Sequence, residues 1–278
     1  MTLKQSLGVI GAPIAHSLSP LLHEFIIRQY DLPFTYSAYH VEKESLAEAV
    51  YGAQALGFRG LNVTVPYKKD VMSLLDEIDE FALKVGAVNT ILFSEGRITG
   101  YNTDVFGFLH SLAVENVSLS DRDVVLLGAG GAARAIVLAA KKGGARSVMI
   151  YNRTYEKAAA LAEKMGCVAV SQDYFTAIPD HAVIINTTSV GMHPNVNASP
   201  LPQTLFRADC LYIDIVYNPQ NTLFLQYATH AGAQTVGGIG MLILQGILAM
   251  EIWSGKSIDL QQNFGALQDL LRRALGAQ

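Results

Sequence analysis

Cysteine is scarce in this chain: only Cys167 and Cys210 occur among its 278 residues. They form no Cys-x-x-Cys pair, which excludes the common zinc and dithiol motifs. Both border apolar segments, where inert buried thiols are usual. Histidine is no better arranged for metal, since its seven copies show no short ligand spacing. Basic runs are missing, and the formal net charge is −4. The electrostatic footprint of a nucleic-acid binder is therefore absent. No apolar run suffices to cross a bilayer; the best late stretch, Met241–Trp253, is interrupted by Gln245 and Glu251. The opening, Lys4 and then Leu7 to Ala15, only mimics a secretion signal, because Pro13 breaks it. Repeats and low-complexity segments are lacking as well. The expectation is a cytoplasmic protein that binds neither nucleic acid nor membrane.

Apolar residues make up 50% of the chain and charged residues 16%, as in ordinary globular folds. The length fits one or two domains. Short apolar runs alternate with helical patterns, the mark of an α/β protein with mostly parallel sheets. Strands are predicted at Leu7–Ile10, Thr35–His40 and Gly60–Val65, with helices at Pro20–Tyr30 and Glu44–Leu56. From Tyr67 onward, Val71, Leu74, Leu75, Ile78, Ala82 and Val85 share one helical face. Pro66 suits the first position of that helix, which puts Lys68 in its first turn. A hairpin turns at Glu95-Gly96, between Thr90–Phe93 and Ile98–Tyr101. Residues 105 to 122 supply a connecting helix and a polar loop. A second unit then opens with strand Val124–Leu127, a glycine turn, helix Ala132–Lys142 and strand Val148–Tyr151. Strands at Val183–Ile185, Leu211–Ile213 and Gln234–Val236 follow, and helices Met241–Trp253 and Leu260–Ala274 close the chain.

The turn Gly128-Ala129-Gly130-Gly131-Ala132-Ala133 fits G-x-G-x-x-A. Gly128 permits the tight turn, Gly130 lets backbone approach a pyrophosphate, and Ala133 allows close helix–strand packing. The helix N-terminus attracts the negative charge. A glycine triplet alone is weak, but the strand–turn–helix–strand context is the one the motif requires. An NAD enzyme would carry Asp or Glu about 20 residues on. This chain has Asn152-Arg153-Thr154 there, with Lys157 one turn later. Arg153 offers a permanently charged planar fork for a 2′-phosphate, so NADP is the expected cofactor. Its bland alternative is a solvated surface arginine. Thr188, Ser189 and Met192 follow the strand Val183–Ile185, at an end where doubly wound sheets bind ligands; the alternative is a plain turn built by Asn186 and the hydroxyls. Gly237, Gly238 and Gly240 would let backbone lie close to a nicotinamide, or simply make a bend.

An ordered series of motifs resembles the shikimate dehydrogenase family. It begins with Ser17-Leu18-Ser19-Pro20, then Gly60-Leu61-Asn62-Val63-Thr64-Val65-Pro66-Tyr67-Lys68. Gly86-Ala87-Val88-Asn89-Thr90 and Tyr101-Asn102-Thr103-Asp104 follow. The glycine turn, Asn152-Arg153-Thr154, Asn186-Thr187-Thr188-Ser189-Val190-Gly191-Met192, Asp214-Ile215-Val216-Tyr217-Asn218-Pro219 and Gly240-Met241-Leu242 through Gln245 complete it. One departure stands out: the family usually has glycine directly after Asn-Thr-Asp, whereas Val105 and Phe106 precede Gly107 here.

The resemblance implies an N-terminal α/β substrate domain, residues 1–104 plus 241–278, and a Rossmann-like doubly wound NADP domain, residues 105–240, with the chemistry in a cleft between. It implies reversible NADPH-dependent reduction of 3-dehydroshikimate, in aromatic amino-acid precursor synthesis. Ser17 and Ser19 would bind the substrate carboxylate, Asn62, Thr64 and Asn89 the ring hydroxyls, and Tyr217 and Gln245 would come to the same cleft. The cofactor set would be Gly128, Ala129, Gly130, Gly131, Ala132, Asn152, Arg153, Thr154, Lys157, Thr188, Ser189, Met192, Ile215, Gly238 and Met241. Lys68 and Asp104 would be the catalytic pair, with Lys68 moving the proton. The helix dipole would disfavour the charge on Lys68 and Asp104 would favour it. Each residue has a plainer reading too: Ser17, Ser19 and Asp104 as helix caps, Lys68 as a solvated surface group. Alternatives are a quinate or dual quinate/shikimate enzyme, a folate-intermediate dehydrogenase, and a non-catalytic NADPH sensor. The Asn-Val-Thr-Val-Pro-Tyr-Lys and Asn-Thr-Asp segments favour the shikimate class over the folate enzyme, and the intact Lys68/Asp104 pair argues against the sensor.

Overall fold

A computed structural model describes residues 4–276. The chain divides into two compact units. The first runs up to Gly107 and takes back Ile243–Leu271; the second holds Phe108–Leu242 and the stretch from Arg272.

The first unit is built on β1 (Gln5–Gly11), α1 (Ser19–Gln29), β2 (Phe34–His40), α2 (Leu46–Ala55), β3 (Gly60–Val63), β4 (Glu77–Ile78), α3 (Glu80–Val85), β5 (Thr90–Ser94) and β6 (Arg97–Tyr101). The strands order as β2-β1-β3-β5-β6-β4. β1 pairs in parallel with β2 and β3, while β5 is antiparallel to both β3 and β6. The β5–β6 hairpin turns where predicted, with Glu95 at φ 53° and Gly96 at φ 76°. Two successive positive φ angles suit the twist of a tight hairpin. Register sets Asn62 of β3 opposite Thr90 of β5. Ile10, Val50, Leu61, Val63, Val71, Val88 and Ile91 are buried in one core beneath this sheet.

The helix expected from Tyr67 to Val85 does not form. Residues 65–69 make turns, Asp70–Leu74 a short 3-10 helix, and only Glu80–Val85 is α-helical. The reason lies in the sheet edge. Asp76 donates its N–H to the Ile98 carbonyl at 2.9 Å and accepts from the Ile98 N–H through its carboxylate at 2.7 Å; Asp79 donates its N–H to Gly100 at 2.9 Å. These backbone groups find sheet partners instead of helical ones. Asp79 then caps α3 by accepting from Phe81 and Ala82. Lys68 therefore sits in a turn, and the helix-dipole argument for it does not apply. β3 likewise stops at Val63, and α2 begins only at Leu46, after a 3-10 turn over Lys43–Ser45.

The second unit contains most of α4 (Asp104–Val114), then β7 (Asp123–Leu127), α5 (Gly131–Lys142), β8 (Ser147–Tyr151), α6 (Tyr155–Met165), β9 (Val168–Val170), β10 (Val183–Asn186), β11 (Leu211–Asp214), α7 (Leu223–His230) and β12 (Gln234–Val236). α8 (Ile239–Ser254) and α9 (Leu260–Gly276) follow. The sheet order is β12-β11-β10-β7-β8-β9, and every pairing is parallel. All five residues of β7 are buried, as expected for a central strand covered on both faces. The order reverses direction at β7–β10, a Rossmann-like arrangement whose ligands bind beyond the carboxyl ends of the strands. α6, α7 and β9 are elements that the sequence pattern does not predict. Cys167 is half-buried and Cys210 buried, both as free thiols. Among the described residues no helix is long and apolar enough to cross a membrane, and no acidic, His and Cys cluster could hold a metal.

Candidate active site

Lys68 follows β3, and the Val88 N–H grips its backbone carbonyl at 2.7 Å. Its Nζ lies 2.6 Å from Asp104 Oδ2, with the two side chains 22% and 7% exposed. The other carboxylate oxygen, Oδ1, accepts from Asn89 Nδ2 at 2.9 Å. Asp104 thus turns both oxygens to Lys68 and Asn89. Its own N–H donates to Asn102 Oδ1 at 3.1 Å, and Asn102 Nδ2 donates to the Ala87 carbonyl at 2.9 Å. Asn89 Oδ1 accepts the Thr103 N–H at 2.9 Å and the Thr90 hydroxyl at 3.0 Å. Asn62 Nδ2 donates to the Asn89 carbonyl at 3.2 Å and to Thr90 Oγ1 at 3.1 Å. The polar residues of three separate motifs therefore form one network. A lysine paired with a nearly buried carboxylate, itself held by an amide, is an ammonium of fixed direction. Such a group can give a proton to a bound oxygen or take one back.

Tyr36 extends the network. Its hydroxyl donates to Asn62 Oδ1 at 2.7 Å, and burial pushes its ionisation well above the usual tyrosine value, partly offset by a hydrogen bond from Ser19. Ser17 Oγ accepts the Ser19 N–H at 3.3 Å. The N-cap of α1 is Leu18, with no side-chain cap, so neither serine plays the ordinary capping role. Sequence reasoning missed Tyr36 and Thr90. The available signal was a tyrosine on an inward strand position, whose O–H needs a partner once buried.

The Thr64 methyl group packs close to β1: a Cβ on Gly11 would lie 2.5 Å from it. Gln245 lies beside Gly107, where a Cβ would stand 2.7 Å from the Gln245 Cβ and 2.8 Å from its N. Glycine at 107 thus lets α8 approach the start of α4, next to Asp104. Val105 is fully buried, and Phe106 meets Phe81 edge-on at 4.9 Å, so the departure from the family motif is absorbed in packing.

Beneath Tyr36 lies His23, fully buried, with its ring stacked at 4.2 Å between centroids. It faces Asn62, but neither ring nitrogen makes a hydrogen bond. Burial pushes its pKa from 6.5 down to about 3. A base whose folded pKa is depressed binds its proton more readily when unfolded. Its contribution is intact above about pH 6.5 and is lost as pH falls towards about 3. His23→Phe keeps the stack and removes this liability. The wild type should lose roughly 2–3 kcal/mol more than the variant between pH 7 and about pH 4.5. Urea unfolding at both pH values tests this; equal losses would mean His23 is not held neutral.

In the second unit the expected cofactor residues gather at the carboxyl ends of the strands. Gly128 follows β7 with φ 113°, and a Cβ there would meet Thr187 Oγ1 and Thr188 Cγ2 at 2.8 Å. At Gly130 and Gly131 a Cβ would meet nothing within 4 Å. Gly130 is the N-cap of α5, with no side-chain cap. The start of α5 thus has room beside its backbone, with Ala129 and Ala132 half-exposed, and the N-terminus of a helix with such room fits a pyrophosphate.

After β8, Asn152 Nδ2 donates to the Thr154 carbonyl at 2.9 Å. Arg153, Thr154 and Lys157 are exposed. No ion pair engages Arg153 or Lys157 among the described residues, so both charges are available to a phosphate. After β10, Thr188 donates its hydroxyl to Asn186 Oδ1 at 2.7 Å and accepts the Val190 N–H at 3.1 Å; this hydroxyl builds the turn. Ser189 and Met192 are exposed. After β11, Ile215 is half-buried, and so is Tyr217, whose ionisation burial pushes up. A Cβ on Gly238 would stand 2.3 Å from the Ile215 carbonyl oxygen. Met241 is buried.

Residues 9–91 match the shikimate dehydrogenase substrate binding domain family, and residues 111–222 match the shikimate / quinate 5-dehydrogenase family. The chain belongs to the shikimate dehydrogenase family. Within it, a shikimate dehydrogenase (NADP(+)) of Geobacillus kaustophilus is 40% identical over 271 residues, covering 96% of this chain and 98% of the relative. The crystal structure of the Thermus thermophilus shikimate 5-dehydrogenase with NADP(H) and shikimate superposes with a TM-score of 0.89 at 37% identity, covering 98% of this chain and all of that one. A 5-ketofructose reductase of a Gluconobacter species superposes at 0.83 with 32% identity, covering 97% and 100%. Proteins that share this fold thus carry names that point to different substrates.

Proposed function

We propose that this chain is an NADP-dependent dehydrogenase that interconverts 3-dehydroshikimate and shikimate. Family membership supports it, and so does the Lys68–Asp104–Asn89 network, which is the observation that carries the chemistry. In this reading the first unit binds the substrate and the second binds NADP. Bound NADPH supplies the hydride to the carbonyl carbon. Lys68 Nζ gives a proton to the carbonyl oxygen as that oxygen becomes a hydroxyl, and takes it back in the reverse direction. Asp104 and Asn89 keep Nζ aimed. Ser17 and the uncapped start of α1 favour the substrate carboxylate. The partner is a small acid, and the working form is a monomer or a homodimer. The free thiols suit a reducing cytoplasm.

Quinate is the second reading, because the second family names both acids. Quinate has an added hydroxyl and no ring double bond, and one hydroxyl discriminates weakly unless it leaves buried groups unpaired. In the family the Ser-x-Ser form of the carboxylate site accompanies shikimate, and Ser17-Leu18-Ser19 has that form. Reduction of NADP+ by each acid tests the choice. A higher kcat/KM for shikimate is expected; a higher value for quinate would transfer the assignment to it.

A further inference from the structure

Asp214 ends β11 and is fully buried. Its carboxylate has three partners, all neutral. Thr222 Oγ1 donates to Oδ2 at 2.6 Å, while the Val216 N–H at 2.9 Å and Asn186 Nδ2 at 3.0 Å donate to Oδ1. Among the described residues no cation is its partner. Both oxygens accept hydrogen bonds, two at Oδ1 and one at Oδ2, the surroundings of a carboxylate, while burial pushes the carboxyl up to about 6. A buried charge without a counter-charge costs stability. Asparagine would keep both bonds at Oδ1 and could donate to Thr222, so the hydrogen bonding alone does not call for a carboxylate.

What a carboxylate adds is charge, and its place matters. Asp214 immediately precedes Ile215, whose carbonyl lies against Gly238. Asn186, its partner, holds Thr188 through Oδ1. The charge thus sits under the loops proposed to receive the cofactor, in a medium where one charge acts strongly. The oxidised nicotinamide ring is a cation and the reduced ring is neutral. We infer that the buried charge of Asp214 favours the oxidised form of NADP over the reduced form at this site. Repulsion from the cofactor phosphates is common to both forms and cancels in the comparison. The inference rests on the NADP reading above.

Titration calorimetry of the full chain with NADP+ and with NADPH, separately, tests it. Asp214→Asn should weaken NADP+ relative to NADPH by about tenfold, and should melt at or above the wild type at neutral pH. Thr222→Val removes one donor and so pushes the carboxyl up further; read at about pH 8.5, where the charge is kept, its ratio of the two Kd values should match the wild type at the same pH. An unchanged ratio in Asp214→Asn overturns the inference. So does an equal loss for both forms, an equal shift in Thr222→Val, or a melting temperature well below wild type, each of which assigns Asp214 to shape. A wild type that binds neither form overturns the cofactor reading itself.

Discussion

Lys68→Ala should lower kcat by about 100-fold or more, the usual scale for a lost general acid–base group. That corresponds to about 2.7 kcal/mol of transition-state stabilisation. The affinity for NADP+ should not change, because Lys68 belongs to the first unit and the proposed cofactor residues to the second. The substitution also strips the cation from a carboxylate only 7% exposed. Breaking a buried pair from one side costs about 3–5 kcal/mol, and the partial exposure of Lys68 places the loss at the low end. Kinetics must therefore be read well below the melting temperature. Asp104→Asn should lower kcat as well, since an amide in that position turns hydrogens towards Lys68 or Asn89, both of which donate there. Near-normal kcat in both variants would refute the catalytic assignment.

Arg153→Ala should reduce kcat/KM for NADP by roughly 10- to 150-fold, since a hydrogen bond to a charged group is worth about 1.5–3 kcal/mol and each 1.4 is tenfold. Use of NAD should be spared. Arg153 is exposed and has no ion-pair partner among the described residues, so the melting temperature should stay at wild type. Parallel losses with NAD and NADP would instead give Arg153 a role in the fold.

The unevenness of what the sequence shows has a physical basis. The β7–turn–α5–β8 segment is legible because its signals are local: a strand buried on both faces, a glycine that must take φ 113°, and a helix with no capping side chain. The stretch from Tyr67 to Val85 misleads because its helical spacing is also local, while the partners that win, Ile98 and Gly100, lie on another strand. Lys68 and Asp104 are visible by motif, yet nothing in either motif shows that Asn89 takes the second carboxylate oxygen. Tyr36 and Asn62 are 26 positions apart and meet only through the β2-β1-β3 order. Asp214 belongs to a motif visible in the sequence, but that its partners among the described residues are all neutral appears only in the fold.

The central claim is hydride transfer between shikimate and NADP+ on this chain. Shikimate carrying deuterium on the carbinol carbon that becomes the ketone, incubated with NADP+ and the purified protein, tests it most directly. The account predicts that the deuterium appears in the nicotinamide ring of the NADPH formed, with one 3-dehydroshikimate for each NADPH. NADP+ binding without any such transfer, to shikimate or from it, would contradict the account and leave a protein that only holds the cofactor.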